Sequence, residues 1–143
     1  YAYSSDAACT KKISAPKNAG TYYVKASVAA DDKYEAAESE AAKLTIAKAT
    51  QKVEKATTKK TLTGVSKKAK SFKINATSTS GGKITYSKVV SDSNKITVSS
   101  AGKVTVKKGL KKGTYKLVVK FTMAGNSNYK QKIYNKVITV IVK

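Results

Sequence analysis

The chain of 143 residues has no histidine, no tryptophan and no arginine, and it has one cysteine and one proline. Without histidine, neither a Ser-His-Asp or Cys-His catalytic set nor a histidine-ligated metal site can form. Cys9 has no partner for an internal disulfide. No apolar run reaches the roughly 18 residues of a membrane-spanning helix. These absences predict a protein that is not an enzyme, holds no cofactor or metal, and has no membrane span.

All 29 basic residues are lysines, and they are unevenly distributed. Residues 1–50 carry 7 lysines and 6 acidic residues, whereas residues 51–143 carry 22 lysines and only Glu54 and Asp92 as acids. The excess of lysines gives residues 51–143 a positive electrostatic field, which attracts polyanions. Two interpretations stay open: a solvated lysine-rich surface, or contact with cell-wall or host anionic glycans. Arginine is the side chain suited to bidentate phosphate and guanine contacts, so its absence disfavours nucleic acid as a partner.

The acidic residues are concentrated in one segment. Five of the eight lie between Asp31 and Glu40. Their order lacks the alternating Asp-x-Asp-x-Asp-Gly spacing of a calcium-binding loop. We therefore interpret this segment as a solvated turn.

One short motif occurs twice in the chain. Gly20-Thr21-Tyr22 and Gly113-Thr114-Tyr115 are 93 residues apart, and each is followed by an alternating run, a small polar turn and a second tyrosine. This spacing is typical of one β-sandwich domain. The repeat therefore predicts two copies of the same unit.

Alternation of apolar and polar residues predicts strands through most of the second copy. Threonine, valine and tyrosine, which favour pleated strands, are abundant. A helix stays open at Lys33–Ala42 alone, where alanine and glutamate are dense. The predicted strands are Ser71–Thr77, Lys83–Val90, Lys95–Ser99, Lys103–Lys107, a long strand from Tyr115 to Met123, and Tyr129–Lys143.

The two Gly-Thr-Tyr motifs predict tyrosine corners. In immunoglobulin-like sandwiches, a tyrosine near the start of strand F sends its hydroxyl to a backbone group a few residues upstream. Glycine two residues before the tyrosine permits the tight turn. We therefore predict that Tyr22 and Tyr115 are structural corner residues; the alternative is two ordinary buried strand tyrosines.

The motifs resemble the immunoglobulin-like (Big/MBG-type) repeats of Gram-positive bacterial surface proteins. The first copy carries the resemblance through Asn18-Ala19-Gly20-Thr21-Tyr22 and Leu44-Thr45-Ile46, and the second through Ala101–Tyr115 and Ala124–Tyr129. The resemblance implies an all-β fold of immunoglobulin-like antiparallel β-sandwiches, with one partial and one complete domain in tandem. It also implies an extracellular or cell-surface location and brings no catalytic residues.

The predicted domain boundaries leave the first unit short. Residues 1–48 match the C-terminal part of such a domain, residues 49–51 form a linker, and residues 52–143 form a complete domain. A half-sandwich exposes apolar surface and unpaired edges. Either the sequence begins within a domain, or strand-complementing self-association supplies the missing strands.

Two functions follow from this organisation. The first is a structural spacer or stalk, stiffened by the short linker without glycine or proline, whose partners are neighbouring immunoglobulin-like domains of the same chain. The alternative is a binding module for carbohydrate or polyanion, using the lysine-rich surface and an aromatic ligand surface at Tyr3, Tyr23 and Tyr134. Nucleic-acid binding would rest on charge alone, since no recognised motif supports it.

Overall fold

The computed structural model describes all 143 residues, and every regular element in it is a β-strand. The chain divides into two compact units: unit 1 comprises residues 1–49 and 127–129, and unit 2 comprises residues 50–126 and 130–143. No helix of the length and apolar character needed to cross a membrane is present. The all-β prediction is confirmed; the helix left open at Lys33–Ala42 is replaced by turns and the short strand Ala37–Glu38.

Unit 1 contains two small antiparallel sheets. One has the order β2-β1-β3-β6, and the other is the pair β4-β5. Residues 127–129 group with this unit because the Asn128 side chain accepts from the Ala19 amide and donates to the Asn18 side chain, both at 2.8 Å. The strands are β1 (Ala2–Ser4), β2 (Lys12–Ile13), β3 (Gly20–Lys25), β4 (Ser27–Val28), β5 (Ala37–Glu38) and β6 (Ala42–Ile46).

Unit 1 has an apolar sheet face but no buried apolar core. Tyr3 faces Val24 across β1 and β3, and Tyr22 faces Leu44 across β3 and β6, so these four side chains share one face. All four are only partly buried, and the one buried residue of the unit is Ser4. Unit 1 by itself therefore lacks the buried apolar core of a closed sandwich.

Unit 2 contains the two sheets of a sandwich. The larger sheet has the order β11-β14-β15-β8, the smaller has the order β12-β13-β9, and β7 pairs with β10 beside them. The strands are β7 (Val53–Ala56), β8 (Lys59–Leu62), β9 (Lys70–Lys73), β10 (Ala76–Ser78), β11 (Ile84–Ser91), β12 (Ile96–Val98), β13 (Lys103–Val106), β14 (Gly113–Met123) and β15 (Lys132–Val142).

The core of unit 2 is filled by alternate residues from both sheets. Leu117, Val119 and Phe121 on β14 are fully buried, and the intervening side chains point outward. Tyr86 stands edge-on against Phe121, with ring centroids 5.0 Å apart and an interplanar angle of 72°. Edge-to-face packing is a preferred arrangement for aromatic rings. Seventeen buried apolar residues form this single cluster, which closes the sandwich.

Two predicted strands differ in detail from those observed. The predicted strand Ser71–Thr77 is interrupted between β9 and β10, where the Ile74 amide donates to the Gly102 carbonyl at 2.8 Å. The predicted Lys83–Val90 becomes β11, whose register against β14 shifts between Lys88 and Val90. Such a bulge turns the following side chains to the other face. A period of two cannot reveal an inserted residue, because the alternation resumes after it.

Candidate functional site

Each Gly-Thr-Tyr motif forms the same backbone contact within its own unit. The Tyr22 hydroxyl donates to the Asn18 carbonyl at 3.0 Å, and the Tyr115 hydroxyl donates to the Lys111 carbonyl at 2.9 Å. A Cβ at Gly20 would lie 3.0 Å from the Tyr22 hydroxyl oxygen, so glycine leaves room for the ring over the backbone. The corner interpretation stays a prediction, and these hydrogen bonds support it.

Gln51 is an anchor that the sequence did not indicate. Its predicted place was the linker, but it is 98% buried in unit 2, with a relative exposure of 2%. Its side-chain amide donates to the carbonyls of Ala124 and Lys130, each at 2.8 Å, and its side-chain oxygen accepts from the Ser80 hydroxyl. One side chain thus fixes the start of unit 2 to both ends of the β14–β15 connection.

The first and last parts of unit 2 are joined by parallel strands. β8 runs parallel to β15 with Thr139 opposite Lys59 and Val142 opposite Leu62. The Thr139 amide donates to the Thr58 carbonyl at 2.8 Å, and the Lys143 amide donates to the Leu62 carbonyl at 2.9 Å. Every other pairing within the named strands of the chain is antiparallel.

The three tyrosines predicted as a ligand surface lie in two different units, and their role in binding stays a prediction. Tyr3 and Tyr23 are partly buried in unit 1, and their positions in the β1–β3 register place them on opposite faces of the sheet. Tyr134, on β15 of unit 2, is 46% exposed. It borders a small pocket of about 260 Å³ with Gln51 and Met123. Each tyrosine therefore has its own surroundings, and no shared aromatic platform exists within either unit.

Two acidic residues of unit 1, Asp6 and Asp31, organise backbone turns. The Asp6 carboxylate accepts hydrogen bonds from the Ser4 hydroxyl, the Lys11 amide and the Thr10 amide and hydroxyl. These bonds, that from Ser4 above all, hold the pKa of Asp6 below its ordinary value of 3.8. Asp31 accepts from the amides of Lys33 and Tyr34 in the same way. No group of three or more acidic, cysteine or histidine side chains is placed to hold a metal ion.

The lysines of unit 2 have almost no acidic partners. Unit 2 holds 22 of the 29 lysines and two of the eight acids, Glu54 and Asp92. The ion pair between Lys25 and Glu38, at 3.7 Å, belongs to unit 1. The Asp92 carboxylate accepts from the Lys116 amide at 2.6 Å. The positive field of unit 2 is therefore not neutralised within the unit.

Some of these lysines line a groove in unit 2. The groove has a volume of about 510 Å³ and runs along the break between β9 and β10. Its polar wall contains Asn75 and Thr77, and Ile74, Ile84 and Tyr86 form its floor. Lys55, Lys73 and Lys83, from three different segments, are the charged residues at its edge. No acidic side chain lines it.

The chain is similar in fold to solved cadherin fragments. The EC1–3 fragment of mouse protocadherin-24 is 14% identical with a TM-score of 0.53, and the match covers 86% of this chain and 46% of that one. The EC1–4 fragment of Drosophila N-cadherin is 16% identical with a TM-score of 0.49, and the match covers 94% of this chain and 34% of that one. No protein-family model and no curated protein sequence matches the chain.

The chain spans less than half the length of these cadherin fragments. At 14% identity the likeness to protocadherin-24 shows the fold alone. Together with the strand order of unit 2, it establishes an all-β protein of the immunoglobulin-like β-sandwich class.

Proposed function

We propose that the chain is a structural spacer of an extracellular surface protein, without enzymatic activity, and that it belongs to the bacterial immunoglobulin-like type. The Gly-Thr-Tyr motifs and their tyrosine hydrogen bonds support the assignment to these repeats. The observation that carries the spacer role is the parallel pairing of β8 with β15. Its partners are neighbouring immunoglobulin-like domains of the same polypeptide.

Parallel pairing determines how unit 2 responds to tension. The chain enters β8 at its amino end and leaves β15 at its carboxyl end. In a parallel pair these two ends lie at opposite ends of the ladder, so tension pulls the strands along each other. The hydrogen bonds are then loaded together rather than one after another. A module held in this way resists extension, which is the property that a spacer on a cell surface needs.

Unit 1 fits the same proposal as part of a second sandwich. Its apolar sheet face, with Tyr22 and Leu44, has no covering layer within the unit. Facing strands from the same polypeptide or from a second copy would both cover it. The mass of the purified chain in solution separates the two sources, because complementation by a second copy requires a dimer.

Stretching the whole chain by single-molecule force spectroscopy tests the spacer role. The chain is held by tags at its two ends, and the unfolding of unit 2 is recognised by a gain in length of roughly 300 Å, since about 3.3–3.6 Å is released per residue. The carbonyls of Thr58 and Leu62 accept hydrogen bonds from β15. Backbone groups of alternate residues point to the same side of a strand, so the amide of Lys60, midway between them, also points to β15.

We expect Lys60→Pro to lower the unfolding force of unit 2, because proline removes a ladder hydrogen bond. Thr61→Pro is the matched control: its amide points to the open edge, since β8 is an outer strand, and proline is tolerated there. Equal forces for both variants and the unsubstituted chain would contradict the spacer role.

A second candidate function is adhesion to an anionic polymer. The observation that favours it is the concentration of 22 lysines in unit 2 without an ion pair there. Such a surface attracts polyanions at low ionic strength. Binding of a sulfated polysaccharide to the whole chain, measured at 150 mM salt, tests this function.

A further inference from the structure

We propose that the groove of unit 2 lined by Lys55, Lys73 and Lys83 is a binding site for a linear anionic polysaccharide. This inference rests on the second candidate function above and locates it. The three lysines belong to β7, to β9 and to the turn before β11, so only the folded unit brings them together. All three are exposed.

The ammonium groups at the groove have no partner within the chain. Lys88 and Lys95, by contrast, use their ammonium groups to hold the Ile96 and Gly109 carbonyls. No such bond and no ion pair is formed by the three groove lysines. Each keeps three hydrogen-bond donors for an external group.

A fourth lysine raises the local positive charge further. Lys103 on β13 is the cross-strand partner of Lys73 on β9. Like charges directly opposite each other destabilise a sheet. Glu54, the neighbour of Lys55 on β7, does not relieve this repulsion, because it forms no ion pair with Lys73 or Lys103. A bound anion would supply the missing negative charge.

The openness of the site favours a polymer over a small anion. A single anion at exposed lysines is held weakly, because water and salt screen the charge. A polymer with repeated sulfate or carboxylate groups contacts several lysines at once. Because these contacts belong to one molecule, their contributions to the affinity combine. The groove offers such a path, since its charged residues stand on separate strands.

The neutral groups of the groove favour a polysaccharide over nucleic acid. Asn75 and Thr77 are exposed at its wall, and their side chains form no hydrogen bond within the chain, so they can bind sugar hydroxyls. Tyr86 is only 9% exposed and packs against Phe121, so it offers no face for base stacking. The groove also lacks arginine, the side chain that grips phosphate bidentately.

The test compares two triple substitutions that remove the same charge from the whole chain. The groove variant is Lys55→Gln/Lys73→Gln/Lys83→Gln. The control variant is Lys67→Gln/Lys68→Gln/Lys108→Gln, in the β8–β9 and β13–β14 loops. Those loops meet at the other end of unit 2, where the Gly109 amide donates to the Val65 carbonyl at 3.0 Å. Circular dichroism and thermal unfolding verify that both variants are folded.

Affinity for a size-defined heparin oligosaccharide is measured by titration calorimetry from about 50 to about 300 mM salt. Over this range the screening of charges by salt increases markedly. We expect the groove variant to lose about tenfold or more in affinity. The slope of log affinity against log salt should become less steep by about 2, since each of the three lost lysine–anion contacts contributes about 0.7 to its magnitude. The control variant should lose less than about threefold, and Lys→Arg substitutions at the groove should keep binding.

The other outcomes overturn specific parts of the inference. Equal losses of heparin affinity in the two variants would mean that the polymer binds to the positive surface as a whole. The second candidate function would then stand, and the groove would be excluded as its site. Absence of binding in the unsubstituted chain would remove both. Tighter binding of single-stranded oligothymidylate than of heparin, with the same dependence on the groove lysines, would replace the polysaccharide by nucleic acid.

Discussion

The ring of Tyr86 lies directly over Gly102, and a Cβ on that glycine would be 2.8 Å from the ring carbon Cε2. Gly102 also has a φ of +79°, in the left-handed region that favours glycine. Space and backbone conformation therefore both require glycine at this turn between β12 and β13. The contact matters for the groove as well, since Tyr86 forms part of its floor.

We predict that Gly102→Ala destabilises unit 2 by about 2–4 kcal/mol, from the left-handed backbone and the overpacking together. Gly81→Ala is the matched control: Gly81 has a φ of +66°, but nothing lies within 4 Å of its added Cβ. It should cost about 1–2 kcal/mol. Urea unfolding followed by circular dichroism measures both, and equal losses would mean that Tyr86 yields to the new methyl group.

Tyr115→Phe tests the corner in unit 2. The substitution removes the hydroxyl that donates to the Lys111 carbonyl and leaves the ring in place. We expect a loss of about 0.5–1.5 kcal/mol in unfolding free energy, the net value of one such hydrogen bond. Tyr34→Phe is the control, because that residue is 73% exposed and its hydroxyl has no partner within the chain. A change as small as that of the control would favour the interpretation of Tyr115 as an ordinary strand residue.

Gln51→Leu should be more costly than the predicted place of Gln51 in the linker would indicate. The leucine would leave the Ala124 and Lys130 carbonyls without their buried donor. We expect a loss of about 1–3 kcal/mol, since the part-buried hydrogen bonds to these two carbonyls and from the Ser80 hydroxyl are removed together. Gln131→Leu replaces the second glutamine of the chain, which is exposed, and should change the unfolding free energy by less than about 0.5 kcal/mol. Equal stability of the two variants would exclude the anchor role.

The stability of the Asp6 loop should depend on acid. The folded pKa of Asp6 lies below 3.8, because the ionised carboxylate accepts hydrogen bonds that the neutral form accepts less well. The stabilising contribution is therefore complete above the unfolded pKa and is lost as pH falls below it through the folded pKa. Amide chemical shifts of Thr10 and Lys11 report on the folded state, so they should stay constant as pH falls to 3.8 and move only below it.

Asp6→Asn should remove most of this pH dependence from both amides. Asp32→Asn provides the control, because Asp32 is exposed and its side chain forms no hydrogen bond that the replacement would break. If the Thr10 and Lys11 shifts move in the same way in the Asp6 variant, another group is responsible for the acid sensitivity.

The sequence predicted those features that depend on local pattern. The alternation through Leu117, Val119 and Phe121 marked β14. The two Gly-Thr-Tyr motifs predicted tyrosine corners, and the hydroxyl-to-carbonyl hydrogen bonds of Tyr22 and Tyr115 support that prediction. These features need only a period of two and a four-residue loop. They are therefore visible before any tertiary contact is known.

The remaining features depend on contacts between distant segments. Gln51 is buried because two loop carbonyls more than 70 positions away converge on it, and a lone glutamine carries no signal of that. The groove depends on the register that sets Lys73 against Lys103 and on the break after β9. The distribution of lysines along the chain predicted that the electrostatic field of unit 2 is positive. It did not predict which lysines lie together at the groove.

The pairing of Lys73 with Lys103 predicts that stability and binding oppose each other at the groove. Lys73→Glu replaces a repulsive cross-strand pair by an attractive one. We expect the unfolding free energy to rise by about 0.2–1 kcal/mol. The gain should shrink at 1 M salt, where the Debye length is about 3 Å. The same substitution should weaken heparin binding, because it places a carboxylate where the proposed ligand needs an ammonium group.

Lys108→Glu changes the net charge by the same amount in the β13–β14 loop, where no cross-strand partner faces it. If both variants gain equally, the stabilisation comes from the lower net charge of unit 2 and not from the pair. If only Lys73→Glu gains stability and only Lys73→Glu loses binding, then the unsubstituted sheet keeps a repulsive pair that its own stability does not require. A surface that retains such a cost is best explained by a ligand that removes it, which is the role assigned to the anionic polysaccharide.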